Sequence, residues 1–275
     1  MENLSPSITS FASVAAPPLP SIAVGSVFAQ QTAAILAGFA GPKVWYDLSD
    51  LTTLFQDSAG TTPVTALGQP IGRILDKSGA GNLAVQVTAG SRPLWQRSFA
   101  AFDGVDDSWS TATIDFTSTD KVTVIAGVRK LSDAADGTIQ EFGPSNAVSG
   151  MFYLRAPGSG ASTKFEFLSR GTSMAVPFTS SATFSAPISV VATGIGDIGT
   201  PSATLRLNGA VISTIITSQG TGPYGNYPLY IGRRNETSVP FNGNIYGLII
   251  IGRLLTATEL STMERYMAAQ TGVVL

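Results

Sequence analysis

"LYIGRRNETSVPFNGNIYGLIIIGRLLTATELSTMERYMAAQTG", residues 229–272, decides how the chain is read. Its opening, with the two residues before it, gives "YPLYIGRR", which reads as a late strand. "GNIYGLIIIGR" (243–253) reads as a second late strand. After Leu255 the pattern changes to a helical period. Thr256 followed by Glu259 is a capping box, with Leu255 and Leu260 at the staple positions around it. Leu260, Met263 and Met267 then fall on one face, and Gly272 is a stop signal. The segment therefore predicts strand, loop, strand and a C-terminal helix over 256–271.

Working outward, the preceding chain is also strand-like. "KVTVIAGVRK" (121–130) is an apolar run typical of a central strand. In "STKFEFLSR", Phe165 and Phe167 lie on one face and Lys164 and Glu166 on the other. "ATLRLNGAVIST" carries Asn208-Gly209 between Leu205/Leu207 and Val211/Ile212, a two-residue hairpin signal. Turn signals recur at intervals of about 8–15 residues, which favours a sandwich or jelly roll over an α/β fold. No simple repeat is evident.

Composition agrees. Only 12% of the 275 residues are charged, with 29 Gly and 16 Pro. An average soluble domain has roughly 25% charged residues. The polar surface must come from Ser, Thr, Asn and Gln. The net charge is −2 and no basic run exists, so a nucleic-acid binder is not expected. His and Cys are both absent, which removes disulfides, thiolate sites and the usual zinc ligands. Glu2 is the only charge before Lys43, so no basic signal-peptide region is expected. No apolar run is long enough for a spanning helix.

Two short motifs are decoys. "RGTSMAVP" (170–177) has the look of a catalytic-serine segment around Ser173. A serine nucleophile of that kind needs a histidine base, and the chain has none. Ser173 is read as a loop or strand-end residue. "GIGDIG" (194–199) matches a dinucleotide-binding pattern, but "TPSATLRLNG" follows it where a helix is required. It is read as a glycine-rich hairpin loop.

Residues 1–42 differ from the rest, because no charge occurs from Asn3 to Pro42. A Pro-broken stretch precedes "SVFAQQTAAILAGF", a short helix with Ser26 as N-cap, ended by Gly38 and Gly41-Pro42. Phe28, Thr32, Ile35 and Phe39 form its stripe. An uncharged arm needs burial, either on its own domain or on a partner. Phe28, Ile35, Leu36 and Phe39 are the candidate assembly residues. The expected division is an arm at 1–42 and a β-sandwich at 43–275.

The chain resembles concanavalin A-like, laminin-G-type domains. "LYIG", "FNGNI" and the Leu255–Glu259 helix start match the C-terminal half of such domains in order. "VWYDLSD", "DKSGAGNLAVQ", "RPLW" and "FDGVDDSW" match the N-terminal half. The resemblance covers about residues 43–272 and implies an all-β concanavalin A-like jelly roll with an N-terminal arm and a C-terminal helix. Many proteins with this pattern are tailed-phage virion proteins; others are bacterial surface or carbohydrate-binding proteins. The glucanases of the superfamily carry paired carboxylates on one strand. Here Glu141 and Glu166 lack a second acid nearby in sequence, so no enzyme is expected.

The resulting expectation is a non-enzymatic virion surface protein, either capsid decoration or a tail-fibre or tail-tip component. It would join other virion subunits through the arm and form a homo-oligomer. The alternative is a cell-surface or secreted carbohydrate-binding module. Asp103, Asp106 and Asp107 in "FDGVDDSW" are candidate Ca²⁺ ligands; the competing reading has them capping turn amides. No other cofactor is expected. Trp109, Tyr224 and Tyr227, with Tyr230, are candidate platforms for a host-surface glycan, and "GTGPYGNYP" (220–228) is the candidate loop.

Overall fold

The structure, a computed structural model, describes residues 24–160, 162–172, 178–180 and 182–275. Ser173 and residues 1–23 of the arm lie outside these. Among the described residues there are 17 strands and two α-helices. In chain order they are α1 (Val24–Ala37), β1 (Lys43–Asp47), β2 (Leu54–Phe55), β3 (Arg73–Ile74), β4 (Ala84–Val85), β5 (Leu94–Gln96), β6 (Phe99–Asp103), β7 (Trp109–Asp115) and β8 (Lys121–Lys130). There follow β9 (Thr138–Phe142), β10 (Phe152–Arg155), β11 (Glu166–Ser169), β12 (Phe178–Ser180), β13 (Ile188–Asp197), β14 (Ser202–Leu207), β15 (Ala210–Ile215), β16 (Asn226–Ile231), β17 (Asn242–Ile251) and α2 (Ala257–Thr271).

Two antiparallel sheets face each other. One runs β15-β14-β13-β8-β17-β6-β5, with β1 also paired to β17; the other runs β12-β11-β10-β9-β16-β7-β4-β3-β2. The main core lies between them, with Val122, Val124, Ala126 and Val128 of β8 meeting Phe142, Phe152 and Phe167 from the facing sheet. A second core lies on the outer side of the first sheet. There Trp45, Ile125, Val191, Ile249 and Ile251 pack under Met263, Tyr266 and Met267 of α2. This double cover explains the continuous apolar runs of β8 and β17, since a strand buried on both faces has no polar alternation.

The C-terminal helix begins as its sequence predicts. The Thr256 side chain accepts from the Glu259 amide at 3.3 Å, and Glu259 accepts from the Thr256 amide at 2.9 Å. Gly272 closes the helix at φ 73°, in the left-handed region. Asn208 (φ 51°) and Gly209 (φ 78°) form the β14–β15 turn, matching the two positive φ angles of a type I′ hairpin.

The arm requires a correction. α1 starts at Val24, so Ser26 lies inside the first turn instead of capping it. Thr32 and Leu36 are buried, and Phe28, Ile35 and Phe39 pack partly buried against the second core beside α2. Lys43 donates to the carbonyls of Leu36 (2.6 Å) and Phe39, satisfying the C-terminal end of the helix. Residues 24–42 therefore cover their own sandwich, and Leu36 is not available to a partner. "GIGDIG" is also corrected. Gly194 and Gly196 lie within β13 and pair with β8 and β14; only the turn after Asp197 is a loop.

Candidate functional site

The proposed aromatic platforms are mostly core residues. Trp109 is 1% exposed, donates its indole N–H to the Ile71 carbonyl at 2.8 Å and meets Phe102 edge-on. Tyr224 is likewise 1% exposed, with its hydroxyl 2.6 Å from Ser169 Oγ and its ring against Phe152. Neither can present a ring face to a sugar, because each is consumed in cross-sheet packing. Tyr227 and Tyr230 are half-buried. The Tyr227 hydroxyl donates to Ser149 O at 3.1 Å, and its ring packs against Phe142.

The acidic triad does converge, with carboxylate oxygens of Asp103, Asp106 and Asp107 within 4.8 Å of one another. Each already serves the turn. Asp103 Oδ1 accepts from the Val105 amide at 2.8 Å, and Asp107 Oδ2 accepts from the Asp103 amide at 3.0 Å. Ser91 Oγ donates to Asp106 at 2.7 Å, and Gly104 takes φ 77°. Burial pushes the Asp107 carboxyl up to about 6, with the charges of Asp103 and Asp106 adding to the rise. Ca²⁺ takes six to eight oxygens, whereas one oxygen of each carboxylate here is already bonded to an amide or hydroxyl of the turn. The set fits a turn-holding role better than a cation cage.

Glu141 and Glu166 share the outer face of the nine-stranded sheet with Tyr153 and Arg155, through the β9-β10-β11 register. Glu141 is fully buried and bound by Arg155 (3.1 Å) and Arg234 (2.9 Å). Burial pushes its carboxyl above the ordinary range, and the Arg234 guanidinium pulls it back. Glu166 is 3% exposed and accepts from the Ser159 amide at 2.8 Å. Neither carboxylate is open to a substrate.

An open site lies elsewhere. A cleft of about 660 Å³ is formed at one end of the sandwich by three loops: 117–120 after β7, 198–201 after β13, and 218–223 before β16. Thr117, Ser118, Thr119, Asp120, Ser218 and Thr221 line it; the Thr117 hydroxyl is bonded to Asp115, that of Thr119 to Lys121 and that of Thr221 to Thr172. Ile198, Pro201 and Pro223 supply apolar surface, and among the described residues no Lys, Arg or aromatic residue lines it. The volume is that of a small-molecule site.

The loops are fixed by hydrogen bonds that cross between them. The Ile198 amide donates to Asp120 O (2.9 Å) and the Tyr224 amide to Thr119 O (2.9 Å). Gln219 is fully buried and donates its amide to Asp197 O (3.0 Å) and Ser202 O (2.9 Å), anchoring the third loop. The Thr172 amide donates to Thr221 O at 3.0 Å, a further tie to the third loop. Asp120 Oδ1 lies 2.8 Å from Lys121 Nζ, which also lies 3.4 Å from Asp197. The Lys121 hydrogen bond keeps the Asp120 carboxyl below its usual range. Gly199 is needed at this point, because the Asp120 carboxylate occupies the space a Cβ would take.

The sequence marked part of this site. "GTGPYGNYP" does contribute, through Gly220, Thr221, Gly222 and Pro223 and not through its tyrosines. Asp120 went unmarked; its one signal was a Ser/Thr-rich loop, "FTSTDK", of the kind that leaves hydroxyls exposed.

Comparison with known proteins agrees with the architecture. The family model described as Concanavalin A-like lectin/glucanases superfamily matches residues 102–261, more than half of the chain. No curated protein matches in sequence. Among solved structures, Trypanosoma rangeli sialidase aligns at 10% identity over 89% of this chain and 38% of its own, with a TM-score of 0.53. The botulinum neurotoxin type G receptor binding domain aligns at 15% identity over 74% of this chain and 50% of its own, TM-score 0.51. The CBM40 of Ruminococcus gnavus IT-sialidase, bound to α2,3 sialyllactose, aligns at 16% identity over 53% of this chain and 83% of its own, TM-score 0.42. Among the described residues no helix is long and apolar enough to cross a membrane.

Proposed function

The chain belongs to the Concanavalin A-like lectin/glucanases superfamily, and from that premise we propose that it is a non-enzymatic, lectin-like module that binds glycans in the loop cleft and is displayed on the surface of a tailed-phage virion. The observation that carries the binding role is the cleft itself, formed by three loops rich in Ser and Thr with one acidic residue, Asp120. Sugar hydroxyls both donate and accept, so such a lining can satisfy them without a cation. The non-enzymatic part is supported by Glu141 and Glu166, the acids nearest to a glucanase pattern, both buried and already hydrogen-bonded.

Virion display as capsid decoration or tail component is supported by the resemblance of the strand–helix segment at 229–272 and by the uncharged run over residues 3–23. Assembly onto other subunits is assigned to residues 1–23, since α1 is spent on its own core. Self-association is assigned to the edge strand β15. No charged residue occurs from Leu207 to Gly232, and Val211 and Ile216 are 58% and 80% exposed. Such an edge is a template for a second copy.

The binding role is tested on a glycan array with the full chain and with Ser118→Trp, which places an indole in the cleft. Glycans bound by the wild type should be lost by the variant at unchanged Tm. Hits retained by Ser118→Trp would move the site elsewhere. Deleting residues 1–23 should leave a folded protein that no longer joins particles; particles that still carry it would remove the arm's role.

A further inference from the structure

We propose that a groove beside α2 receives residues 1–23 of a second copy of this chain. This rests on the assembly role given to residues 1–23 and names their partner and the surface they meet.

Two adjoining cavities, of about 440 and 350 Å³, share Arg265 and Leu275 and make one groove along α2. It runs from the β14–β15 turn, at Asn208 and Gly209, to Phe28 of α1. Small and apolar residues dominate its lining, Leu260, Ala269 and Val273 among them. Among the described residues its charged side chains are Arg206, Glu264 and Arg265. Arg206 Nε lies 2.9 Å from Glu264, and the Arg265 guanidinium sits over the Phe28 ring at 5.9 Å. An apolar segment can therefore fill the groove without burying an unpaired acid. Val274, next to Val273, is 90% exposed, so open apolar surface continues past the lining. Surface of this kind marks an interaction site.

Composition and direction single out the occupant. Residues 3–23 carry no charge, while Leu4, Ile8, Phe11, Val14, Leu19 and Ile22 offer apolar anchors. Pro17, Pro18 and Pro20 fix their own φ, so a segment holding them has less backbone freedom to lose on docking. The segment comes from another copy because α1 and α2 run antiparallel. Phe28 of α1 meets Arg265 in the second half of α2, and Phe39, just past α1, meets Arg253, just ahead of α2. The groove extends back along α2 to Ala257, the direction in which α1 itself runs. At Val24 the axis of α1 therefore points out of the far end, and the chain before it would have to double back to lie in its own groove. The arm of a second copy needs no such reversal. Ala210, in the groove wall, is the first residue of β15, so a copy paired on that edge stands at the groove.

The chain has no cysteine, so one introduced thiol is unique. Ala269→Cys, at an exposed position of the groove, is labelled with a benzophenone maleimide in the full chain. Isotopically light and heavy chains are mixed in equal amounts and photolysed. Crosslinks from Ala269→Cys should reach residues 1–23 and join light chains to heavy ones. Val87→Cys, exposed and outside the groove, should give no crosslinks to residues 1–23. Ala269→Arg, which crowds the groove, should weaken association in sedimentation about tenfold at unchanged Tm, as the loss of one buried anchor does. Crosslinks to residues 1–23 confined within one chain, crosslinks that avoid them, or association untouched by Ala269→Arg would overturn the inference. A wild type that stays monomeric at every concentration would do the same. If any of these results comes with a deletion of residues 1–23 that still fails to join particles, the arm keeps its assembly role without this groove. If the deleted protein joins particles, both fall.

Discussion

The ring of Phe167 on β11 occupies the space that a Cβ on Gly194 of the facing β13 would need. One sheet thus leaves a hole and the other fills it, with Phe167 fully buried as a result. Gly194→Ala should destabilise by about 1–3 kcal/mol through overpacking. Phe167→Ala should cost about 3–5 kcal/mol through the cavity left behind. Chemical denaturation checks both. Combining Gly194→Ala with Phe167→Leu should cost less than the sum; strict additivity would mean that the two residues do not meet.

Glu141 joins two arginines from different elements, Arg155 of β10 and Arg234 of the loop after β16. Removing it leaves the Arg155 guanidinium, 4% exposed, without its carboxylate. Glu141→Ala should therefore lower unfolding free energy by about 3–5 kcal/mol, the cost of breaking a buried pair on one side. Equilibrium unfolding measures this. A variant as stable as wild type that has lost a hydrolytic activity would instead place Glu141 in a catalytic site.

What the sequence disclosed follows from which forces are local. The α2 cap, the Asn208-Gly209 turn and the apolar run of β8 are set by residues within a few positions, and each reads directly. The placement of Gly194 is set by Phe167, 27 positions earlier in the chain, so the glycines looked like a loop. Trp109 and Tyr224 look like surface aromatics beside polar neighbours, yet cross-sheet partners bury them. The cleft draws on loops at 117–120, 198–201 and 218–223, and only the fold brings them together. The uncharged arm reads the same whether its cover is a partner or its own sheet, and Trp45, Met263 and Tyr266 decide that for α1.

The capping box gives a pH signature. Arg253, 2.6 Å from Glu259, and the Thr256 amide hold the Glu259 carboxyl down to about 2, from an ordinary 4.5. A carboxyl lowered on folding contributes stability that is present above its unfolded value and lost as pH falls toward its folded one. Stability should therefore decline from about pH 4.5 to about pH 2, and Glu259→Gln should flatten that limb. Thr256→Ala should cost on the order of 1 kcal/mol at neutral pH. Thermal melts across this range test both, and an unchanged acid limb in Glu259→Gln would show that the pair contributes nothing.

The edge strand predicts how the chain meets a second copy. Val211 and Ile216 are open to solvent at one margin of the sheet, in a stretch with no charge to discourage pairing. Val211→Lys and Ile216→Lys should lower the association state seen by sedimentation, with little change in monomer stability because both side chains are exposed. Equal association by wild type and the double variant would exclude β15 as the contact.

The acidic triad gives the last test, because its two readings differ in what a cation does. Asp107 is buried beside two other carboxylates, and its carboxyl is raised to about 6. If the set only holds the turn, neither Ca²⁺ nor a chelator should move Tm, since Asp103 and Asp107 then serve to accept from the Val105 and Asp103 amides. Asp107→Asn should then preserve the fold and raise stability at pH 8. It keeps an acceptor for the Asp103 amide and removes a charge that burial and two like neighbours oppose. A rise in Tm with Ca²⁺ that chelator reverses, abolished in Asp107→Asn, would instead make the turn a cation site. We expect the flat response, because each of the three carboxylates already accepts from an amide or hydroxyl that holds the turn.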